Sequence, residues 1–498
     1  MKNTLGRQGL DRPYEGLRVH ENKREYKFNK SVQMQELNFD SLFKKVNFHD
    51  GMTISFHHHL RNGDYVLNIV MEQIHKRGYK DICLAASSIF ACHKNLVPMI
   101  EDGTVTKIYT SYMSGPVADA VSQGKLKDMA YITTHGERPR SILEGELKID
   151  IAFVGVPALG KDGSISGSQG PSSCGSLGYA IADCQCANTV VAITDNLCEK
   201  INKPDLKGGF VDYFIKLDRI GDPNGIVSGT TKITKDPIGL SIARKTADLI
   251  DKLGFIKNGL SFQTGAGGVS LAVGEEVFKI MKEKNIKGSF GCGGITGFFV
   301  DMLDKGIFEK LEDVQCFDNK AVKSIENNPY HEKISASKYA NPNDKCIVDE
   351  LDVVVLGASE IDKNFNVNVT TGTDGYILGG SGGHADAATG AKLSIITTKL
   401  FNARISSIVD QVKTITTPGD AIDAVVTEYG IAINPKRKDL IKYIEENTKI
   451  KLVTMDYLYK KAISYTGKPK VRKKSDLIVA YSVYRDGTIL DAIYNVNE

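Results

Sequence analysis

Apolar and polar positions alternate along most of the chain in blocks that predict strands separated by helices. The run Ile151–Val156 is apolar throughout, which is typical of a strand buried on both faces of a parallel sheet. Between Asp64 and Arg77, apolar residues instead recur at helical spacing. We therefore predict an α/β protein with open, mostly parallel sheets. Strands are predicted at 51–56, 79–85, 107–109, 149–156, 189–194, 259–263, 287–290, 352–356, 393–397 and 424–427, and helices at 64–77 and 238–253.

A turn-rich segment divides this pattern into two blocks. The sequence GDPNG at 221–225 is the strongest turn signal, and a new series of strands and helices follows it. With 498 residues, the chain is long enough for two domains of ordinary size. We predict a polar N-terminal arm at 1–40, a first α/β domain at 41–225 and a second, architecturally similar domain at 226–498.

Composition argues against several classes of function. The 63 basic and 60 acidic residues give a formal net charge of +3, so no broad basic surface for nucleic acid is expected. No run of 18 or more apolar residues occurs, and we expect no membrane span. Nine cysteines without a CxxC pair indicate free thiols in a reducing cytoplasm. In the triplet at 57–59, only His57 and His59 would share a strand face, and neither has a partner at metal-ligand spacing, so no metal is expected.

Three glycine-rich segments follow predicted strands. They are Gln263–Val269, Gly291–Gly297 and Leu378–Asp386. Glycine lets backbone N–H groups approach a ligand, and such a loop at a helix N-terminus can hold a phosphate or an oxyanion. Tight packing of a strand on a helix is the alternative explanation for each segment taken alone.

A glutamate lies between the first and third of these segments. Glu360 comes just after the predicted strand 352–356, so we expect it at the carboxyl end of a strand, where open α/β sheets bind ligands. A carboxylate there can attack a thioester carbonyl and form an acyl anhydride. A solvated glutamate at a strand end is the simpler alternative, which spacing alone does not exclude.

The order of these motifs resembles the acetyl-CoA hydrolase and 4-hydroxybutyrate CoA-transferase group. In that group, a segment Ala-x-Glu-Val-Asp that ends in Val-Asn carries the catalytic glutamate, and residues 358–368 here read ASEIDKNFNVN. The third loop departs from the group, since His384 replaces a Gln and Ala387 replaces a Phe. Nearly the whole chain resembles one branch, the citrate lyase alpha-subunit family, through SFHHHLRNGD at 55–64 and SFQTGAGGVSL at 261–271.

The resemblance implies two CoA-transferase-type domains with the active site between them. It implies that the thioester of an acetyl-carrier protein, or of acetyl-CoA, is transferred to citrate to give a citryl thioester and acetate. It implies a beta (lyase) subunit and a gamma (acyl carrier) subunit as partners in an oligomer. The thiol would belong to a CoA-like phosphoribosyl-dephospho-CoA group on the carrier, and this chain would hold no cofactor permanently. In the wider group a glutamate forms a covalent thioester, whereas this branch favours direct attack by citrate.

Thioester exchange needs a carboxylate, oxyanion donors, a slot for the pantetheine arm, and cations or donors for citrate. The candidates are Glu360 for catalysis; Gly265, Ala266, Gly267 and Gly268 for the oxyanion; Gly379, Gly380, Gly382, Gly383 and His384 for the slot; and Asn368, Arg404, His135 and Arg138 for citrate.

Two other functions stay open from the sequence. The chain could be a CoA-transferase for citramalate or another small acid, or an acetyl-CoA hydrolase. It could also be a non-catalytic scaffold or ligand-sensing subunit, although a glutamate accompanied by three glycine-rich segments argues against that.

Overall fold

The computed structural model describes residues 34–227, 232–468 and 475–496. Most of the predicted N-terminal arm, residues 1–33, lies outside the described residues. The end of the arm is described, and Gln35–Glu36 pairs as a short edge strand with Tyr213–Lys216. Among the described residues, no helix is both long and apolar enough to cross a membrane.

Two large sheets organise the molecule, and in each of them every neighbouring pair is parallel except the last. The predicted α/β fold with mostly parallel strands is therefore confirmed. The first sheet has the spatial order Gln35–Glu36, Tyr213–Lys216, Thr189–Thr194, Ile151–Val156, Thr53–Phe56, Ile82–Ala86, Val105–Thr110, Ala130–Ile132, Ile478–Val483 and Ile489–Tyr494. The second has the order His331–Lys333, Phe308–Cys316, Gly288–Ile295, Ser261–Thr264, Val353–Leu356, Leu393–Thr397, Ala424–Thr427 and Gly430–Ile433.

Helices connect the parallel strands and cover the sheets. They span Phe39–Lys45, Val66–Lys76, Leu96–Glu101, Pro116–Ser122, Glu137–Leu143, Ile181–Cys186, Pro237–Lys252, Gly268–Glu283, Gly297–Asp304, Asn319–Asn327, Ala336–Ala340, His384–Gly390, Lys438–Asn447 and Met455–Thr466. Short 3-10 turns lie at Arg61–Gly63, Ala91–His93, Gly178–Ala180, Pro223–Ile226, Ile347–Glu350 and Gly419–Ala421. Smaller strands lie at Ala158–Gly160, Ile165–Ser166, Leu197–Cys198, Glu360–Asp362, Val367–Asn368, Phe401–Asn402, Ile405–Ser406 and Ile408–Val409.

The central strands owe their position to side chains that are apolar on both faces. Every residue of Val353–Leu356 and of Leu393–Thr397 is buried, as expected for strands covered by helices on both sides. The largest hydrophobic cluster contains side chains of both sheets, including Phe56 and Phe262. The two sheets therefore share one continuous core.

The C-terminal hairpin departs from the predicted domain division. Ile478–Val483 pairs in parallel with Ala130–Ile132, and Ile489–Tyr494 then forms the edge of the first sheet. These two strands thus belong to the first sheet, although the prediction assigns them to the second domain, 226–498. Strand pairing between distant segments leaves no local pattern, so the sequence does not reveal which sheet this hairpin joins. The division at 225/226 stays a prediction.

The second glycine-rich segment also differs from its prediction, because most of it is strand. Gly288–Ile295 pairs with Phe308–Cys316 through an irregularity between Gly293 and Gly294. Here the missing side chains make room for rings, since a Cβ on Gly291 would lie 2.9 Å from the ring of Phe299. Packing against this ring explains the absence of a side chain at Gly291.

A buried hydrogen bond between Asp64 and His93 stabilises the turn that follows the strand Thr53–Phe56. Asp64 accepts hydrogen bonds from the N–H groups of Val66 (3.0 Å) and Leu67 (3.3 Å), and it lies 3.1 Å from Nε2 of His93. Nδ1 of His93 accepts the N–H of Phe90 at 3.1 Å, so Nε2 carries the ring proton and donates it to Asp64. The pair thus ties the start of the helix Val66–Lys76 to the turn Ala91–His93.

Candidate active site

Glu360 lies at the start of a short strand, Glu360–Asp362, that pairs antiparallel with Val367–Asn368. Only 4% of the residue is exposed. Its Oε2 accepts hydrogen bonds from Asn368 Nδ2 at 2.9 Å and from the backbone N–H of Lys413 at 3.0 Å. Within the described part of the chain, no hydrogen bond reaches Oε1. One oxygen is thus anchored, and the other is left for a ligand.

Asn368 is itself held in one orientation. Its Oδ1 accepts the N–H groups of Thr370 and Thr371, each at 3.0 Å, and its Nδ2 also donates to the carbonyl of Thr371 at 2.9 Å. Because Oδ1 is occupied by two donors, the amide nitrogen must face Glu360. Asn368 therefore positions the glutamate, a more specific role than the predicted contact with a substrate.

A cavity of about 660 Å³, which we call the Glu360 cavity, extends from this carboxylate. Gly267–Ser270, the N-terminal cap and first residues of the helix Gly268–Glu283, line it. No N–H group of these four residues donates to a described residue, as is usual at a helix start. The helix dipole and these amides favour negative charge, so the site can stabilise an oxyanion beside Glu360.

A second cavity of about 450 Å³, which we call the Arg61 cavity, lies beside the first. It shares Gly267 and Gly357–Ser359 with the Glu360 cavity, so the two adjoin at these residues. None of its lining residues is Asp or Glu. The side chains that carry polar groups into it are His58, Arg61, Ser88, Tyr112, His135, Tyr179, Gln263, Thr264, Gln315, Tyr339, Ser359, Ser381 and His384.

The third glycine-rich segment crosses from the second sheet to the first. Gly382 has φ of +50°, and its carbonyl accepts the N–H of His135 at 2.8 Å. A Cβ on Gly382 would lie 3.3 Å from Nε2 of His135. Gly380, Gly382 and Gly383 line the Arg61 cavity, whereas Gly379 does not. The segment thus forms a wall of this cavity between the two sheets.

His384 joins this wall to the strand exit that carries the glutamate. Its Nε2 donates to the carbonyl of Gly357 at 2.9 Å, and its Nδ1 accepts from the hydroxyl of Thr417 at 2.8 Å. Burial lowers the pKa of His384 to about 4. It is therefore neutral near pH 7 and positions the loop.

The histidine triplet presents His58, not His57 and His59, to the cavity. The strand ends at Phe56, so the alternation of strand faces expected from the sequence does not reach these residues. His58 accepts a hydrogen bond from Ser87 at Nδ1 (2.6 Å) and donates through Nε2 to Gln315 (3.0 Å). Burial, and then the charge of His135, hold the pKa of His58 well below 6.5.

Of the remaining predicted residues, three line the Arg61 cavity and the two arginines line neither cavity. Gly265, Ala266 and His135 line the Arg61 cavity. Arg138 lines neither cavity, because its Nη2 is bonded to the buried Asp183 at 2.7 Å. Arg404 is exposed at the tip of a hairpin and lines neither cavity. The geometry gives no support to citrate contacts from these two arginines.

Sequence reasoning missed most of the Arg61 cavity. Arg61 and Tyr179 come from the first half of the chain, and Gln263 and Tyr339 from the second. No local spacing relates them; the resemblance of residues 55–64 to a family is the one signal that includes Arg61. Within residues 34–227, 232–468 and 475–496, no three His, Cys, Asp or Glu side chains are grouped to hold a metal ion.

Comparison with known proteins identifies relatives over nearly the whole chain. A family model described as "Citrate lyase, alpha subunit (CitF)" matches residues 34–496. The chain is 44% identical to the citrate lyase alpha chain of Escherichia coli (strain K12) over 463 residues, which are 93% of this chain and 91% of the relative. It is 41% identical to the citrate lyase alpha chain of Klebsiella pneumoniae over 489 residues, which are 97% and 96%.

Solved structures show the same relationship. The alpha subunit of citrate lyase from Streptococcus mutans, in complex with citrate, superimposes with a TM-score of 0.93 at 42% identity, covering 97% of this chain and 96% of that one. A malonate decarboxylase hetero-tetramer from Pseudomonas, in complex with malonate, gives a TM-score of 0.65 at 13% identity, covering 87% and 86%. The second likeness shows a shared fold alone.

Two glycine substitutions should distinguish a glycine that is required for close packing from one that has open space beside it. A methyl group on Gly380 would overlap the carbonyl oxygen of Ser111 and lie 2.9 Å from Cα of Tyr112, whereas nothing lies within 4 Å of the corresponding position on Gly267. Gly380→Ala should lower the unfolding free energy by roughly 1–3 kcal/mol. Gly267→Ala should change it by less than about 0.5 kcal/mol. Urea unfolding of both variants measures this, and equal stabilities would contradict the close approach of the loop to Ser111.

Proposed function

This chain belongs to the citrate lyase alpha-subunit family, and on that premise we propose that citrate and an acetyl thioester exchange acyl groups in the Glu360 cavity. The activity of the chain is that of a citrate CoA-transferase. It serves in a multi-subunit complex whose chemistry uses a prosthetic group linked to an acyl carrier.

The proposed reaction involves two further subunits, beta and gamma. The acetyl thioester is carried by phosphoribosyl-dephospho-CoA on the gamma subunit, and free acetyl-CoA can replace it. The products are acetate and a citryl thioester, which the beta subunit then cleaves. We place this reaction in the cytoplasm.

The reaction proceeds through an acyl anhydride. A carboxylate oxygen attacks the acetyl carbonyl carbon; a C–O bond forms, the C–S bond breaks, and the thiolate leaves with the electron pair. The thiolate then attacks the other carbonyl of the anhydride; a C–S bond forms, a C–O bond breaks, and acetate leaves. No oxidant, reductant or net proton transfer is needed.

One observation carries the role of Glu360: its Oε1 is available in the cavity into which the N-terminal amides of Gly268–Glu283 also face. An oxygen nucleophile and oxyanion donors thus lie beside the same space. Typically, one such donor contributes roughly 3–4 kcal/mol to the transition state. In the covalent route Oε1 is the attacking oxygen, and the resulting glutamyl thioester is resolved by citrate through a second anhydride. In the direct route citrate attacks, and Glu360 orients the reactants.

Trapping separates the two routes. The full chain is incubated with acetyl-CoA without citrate and reduced with borohydride, and the peptide containing Glu360 is analysed by mass spectrometry. A reduced glutamate side chain supports the covalent route. Its absence, in a preparation that transfers normally once citrate is added, supports direct attack.

We expect the isolated chain to convert acetyl-carrier protein and labelled citrate into labelled citryl-carrier protein and acetate. Mass spectrometry of the carrier measures the product. Succinate, 4-hydroxybutyrate and citramalate, each with carrier-bound and free acetyl thioesters, serve as comparisons. Equal or faster transfer to one of these acids would contradict citrate as the substrate, and release of acetate without an acceptor would indicate a hydrolase.

We expect Glu360→Gln to lower kcat by about 10³-fold or more while the fold is kept, because it removes the carboxylate without changing the size of the side chain. Asn368→Ala should lower kcat by roughly ten- to a hundredfold, since a hydrogen bond to a charged group contributes roughly 1.5–3 kcal/mol. Steady-state transfer assays and thermal unfolding measure both. Near-normal rates in Glu360→Gln would remove this residue from the mechanism.

A further inference from the structure

Arg61 is a cation without an acidic partner in the middle of the molecule. Its Nη1 is buried and makes no hydrogen bond, and no Asp or Glu of the described residues lines the cavity that Arg61 lines. The guanidinium instead lies over the ring of Phe317, 4.7 Å from its centroid, and 5.6 Å from that of Phe90. A guanidinium stays protonated in proteins, so its desolvation is left partly uncompensated. Such a group indicates a site for an anion.

The side chains around Arg61 are neutral, so its guanidinium gives the cavity a positive charge. No lining residue of the Arg61 cavity is acidic. Burial lowers the pKa of His135 to about 3 and that of His384 to about 4, and His58 is also neutral. His135 also lines the cavity, and its Nδ1 is buried without a hydrogen bond.

The backbone holds Arg61 in a conformation that needs support. Its φ is +51°, in the left-handed region that costs a non-glycine residue free energy. The turn Arg61–Gly63 is held by the N–H of Asp222, which donates to the carbonyl of Gly63 at 2.8 Å, and by the hydrogen bond from the N–H of Asp64 to the carbonyl of Arg61 at 3.2 Å. The turn thus directs this side chain towards Phe317 in the second half of the chain.

The Arg61 cavity also reaches the acyl-exchange site. It meets the Glu360 cavity at Gly267 and Gly357–Ser359, so an acid bound at Arg61 can extend one carboxylate towards Glu360. Arg138 is occupied by Asp183, and Arg404 lies on the surface. Of Arg61, Arg138 and Arg404, Arg61 alone lines either of the two adjoining cavities.

We propose that Arg61 binds a carboxylate of citrate and that the Arg61 cavity is the acid subsite of the enzyme, with His135 as a neutral partner. This inference rests on the proposed function, because it takes citrate as the acid. The Glu360 cavity is then left to the thioester and the reacting carboxylate. A planar guanidinium can hold a carboxylate through two parallel hydrogen bonds, which an ammonium group cannot match.

Citrate binding to the full chain, measured by titration calorimetry at fixed ionic strength, tests the proposal. Arg61→Gln should weaken citrate binding by at least about 30-fold, since loss of one partner of a buried charge pair has effects of this order. Arg61→Lys, which keeps the charge, should bind citrate with intermediate affinity. Arg244→Gln, an exposed arginine on the helix Pro237–Lys252, is the matched control and should bind as the wild type does. In transfer assays Arg61→Gln should raise KM for citrate and leave KM for acetyl-CoA within about twofold.

The possible results distinguish the acid subsite at Arg61 from the proposed acyl exchange at Glu360. Normal citrate affinity in Arg61→Gln, or a loss in Arg404→Gln instead, would overturn the acid subsite, while inactivity of Glu360→Gln would still support the exchange site. A wild type that binds citrate through Arg61 but transfers no acyl group would overturn the proposed function and leave the subsite. A merely structural Arg61 would lower the unfolding temperature of both Arg61 variants without changing citrate affinity in the folded protein. If Arg61→Gln does not fold, Arg61→Lys decides between these outcomes.

Discussion

The buried carboxylate of Asp386 connects the two halves of the molecule at the place where the Arg61 cavity begins. It accepts hydrogen bonds from the hydroxyl of Thr134 at 2.8 Å and from the N–H of Gly136 at 3.0 Å, and it lies 3.7 Å from the guanidinium of Arg485. Burial raises the pKa of Asp386 to about 6, so these donors are what allow an ionised carboxylate there at neutral pH. Loss of any one of them would leave this buried charge less well compensated, and for that reason residues 134–136 have little freedom relative to the helix that starts at His384. The loop wall and the ring of His135 take their positions from this contact.

The sequence predicts a strand of the fold correctly where the strand is buried on both faces, because its consecutive residues are then all apolar. Ile151–Val156 and Val353–Leu356 are apolar throughout because helices cover both faces of their sheets, and the sequence locates such runs with small errors at their ends. The hairpin Ile478–Val483 and Ile489–Tyr494 shows the limit. Its strand character is local, but the choice of the first sheet as partner depends on a surface built by residues more than 300 positions earlier.

The candidate site shows the same division between local and distant determinants. Glu360 and Asn368 lie within one short segment, and a motif of eleven residues is enough to single out both. No sequence motif identifies Arg61 as a candidate anion site. That role depends on its contact with Phe317 and on the absence of Asp and Glu among the residues that line its cavity. The glycine-rich segments are equally ambiguous in sequence: Gly267 has open space in front of it, whereas the space beside Gly291 is filled by the ring of Phe299. Only the packing of other parts of the chain distinguishes the two kinds of glycine.

The cation Arg61 and the carboxylate of Glu360 lie in different cavities, and this arrangement reduces the repulsion between citrate and Glu360. Citrate is a polyanion, and the reaction must bring one of its carboxylates near the carboxylate of Glu360. Two such charges 4 Å apart repel by about 4 kcal/mol at an effective dielectric constant of 20. With Arg61 in the adjoining cavity, the carboxylates that do not react can remain beside a cation, and only the reacting one approaches the glutamate. There the amides at the start of the helix Gly268–Glu283 offset the remaining repulsion, because they favour any negative charge that develops in front of them. The strip Gly357–Ser359, which lines both cavities, is then the path along which the reacting carboxylate meets the thioester.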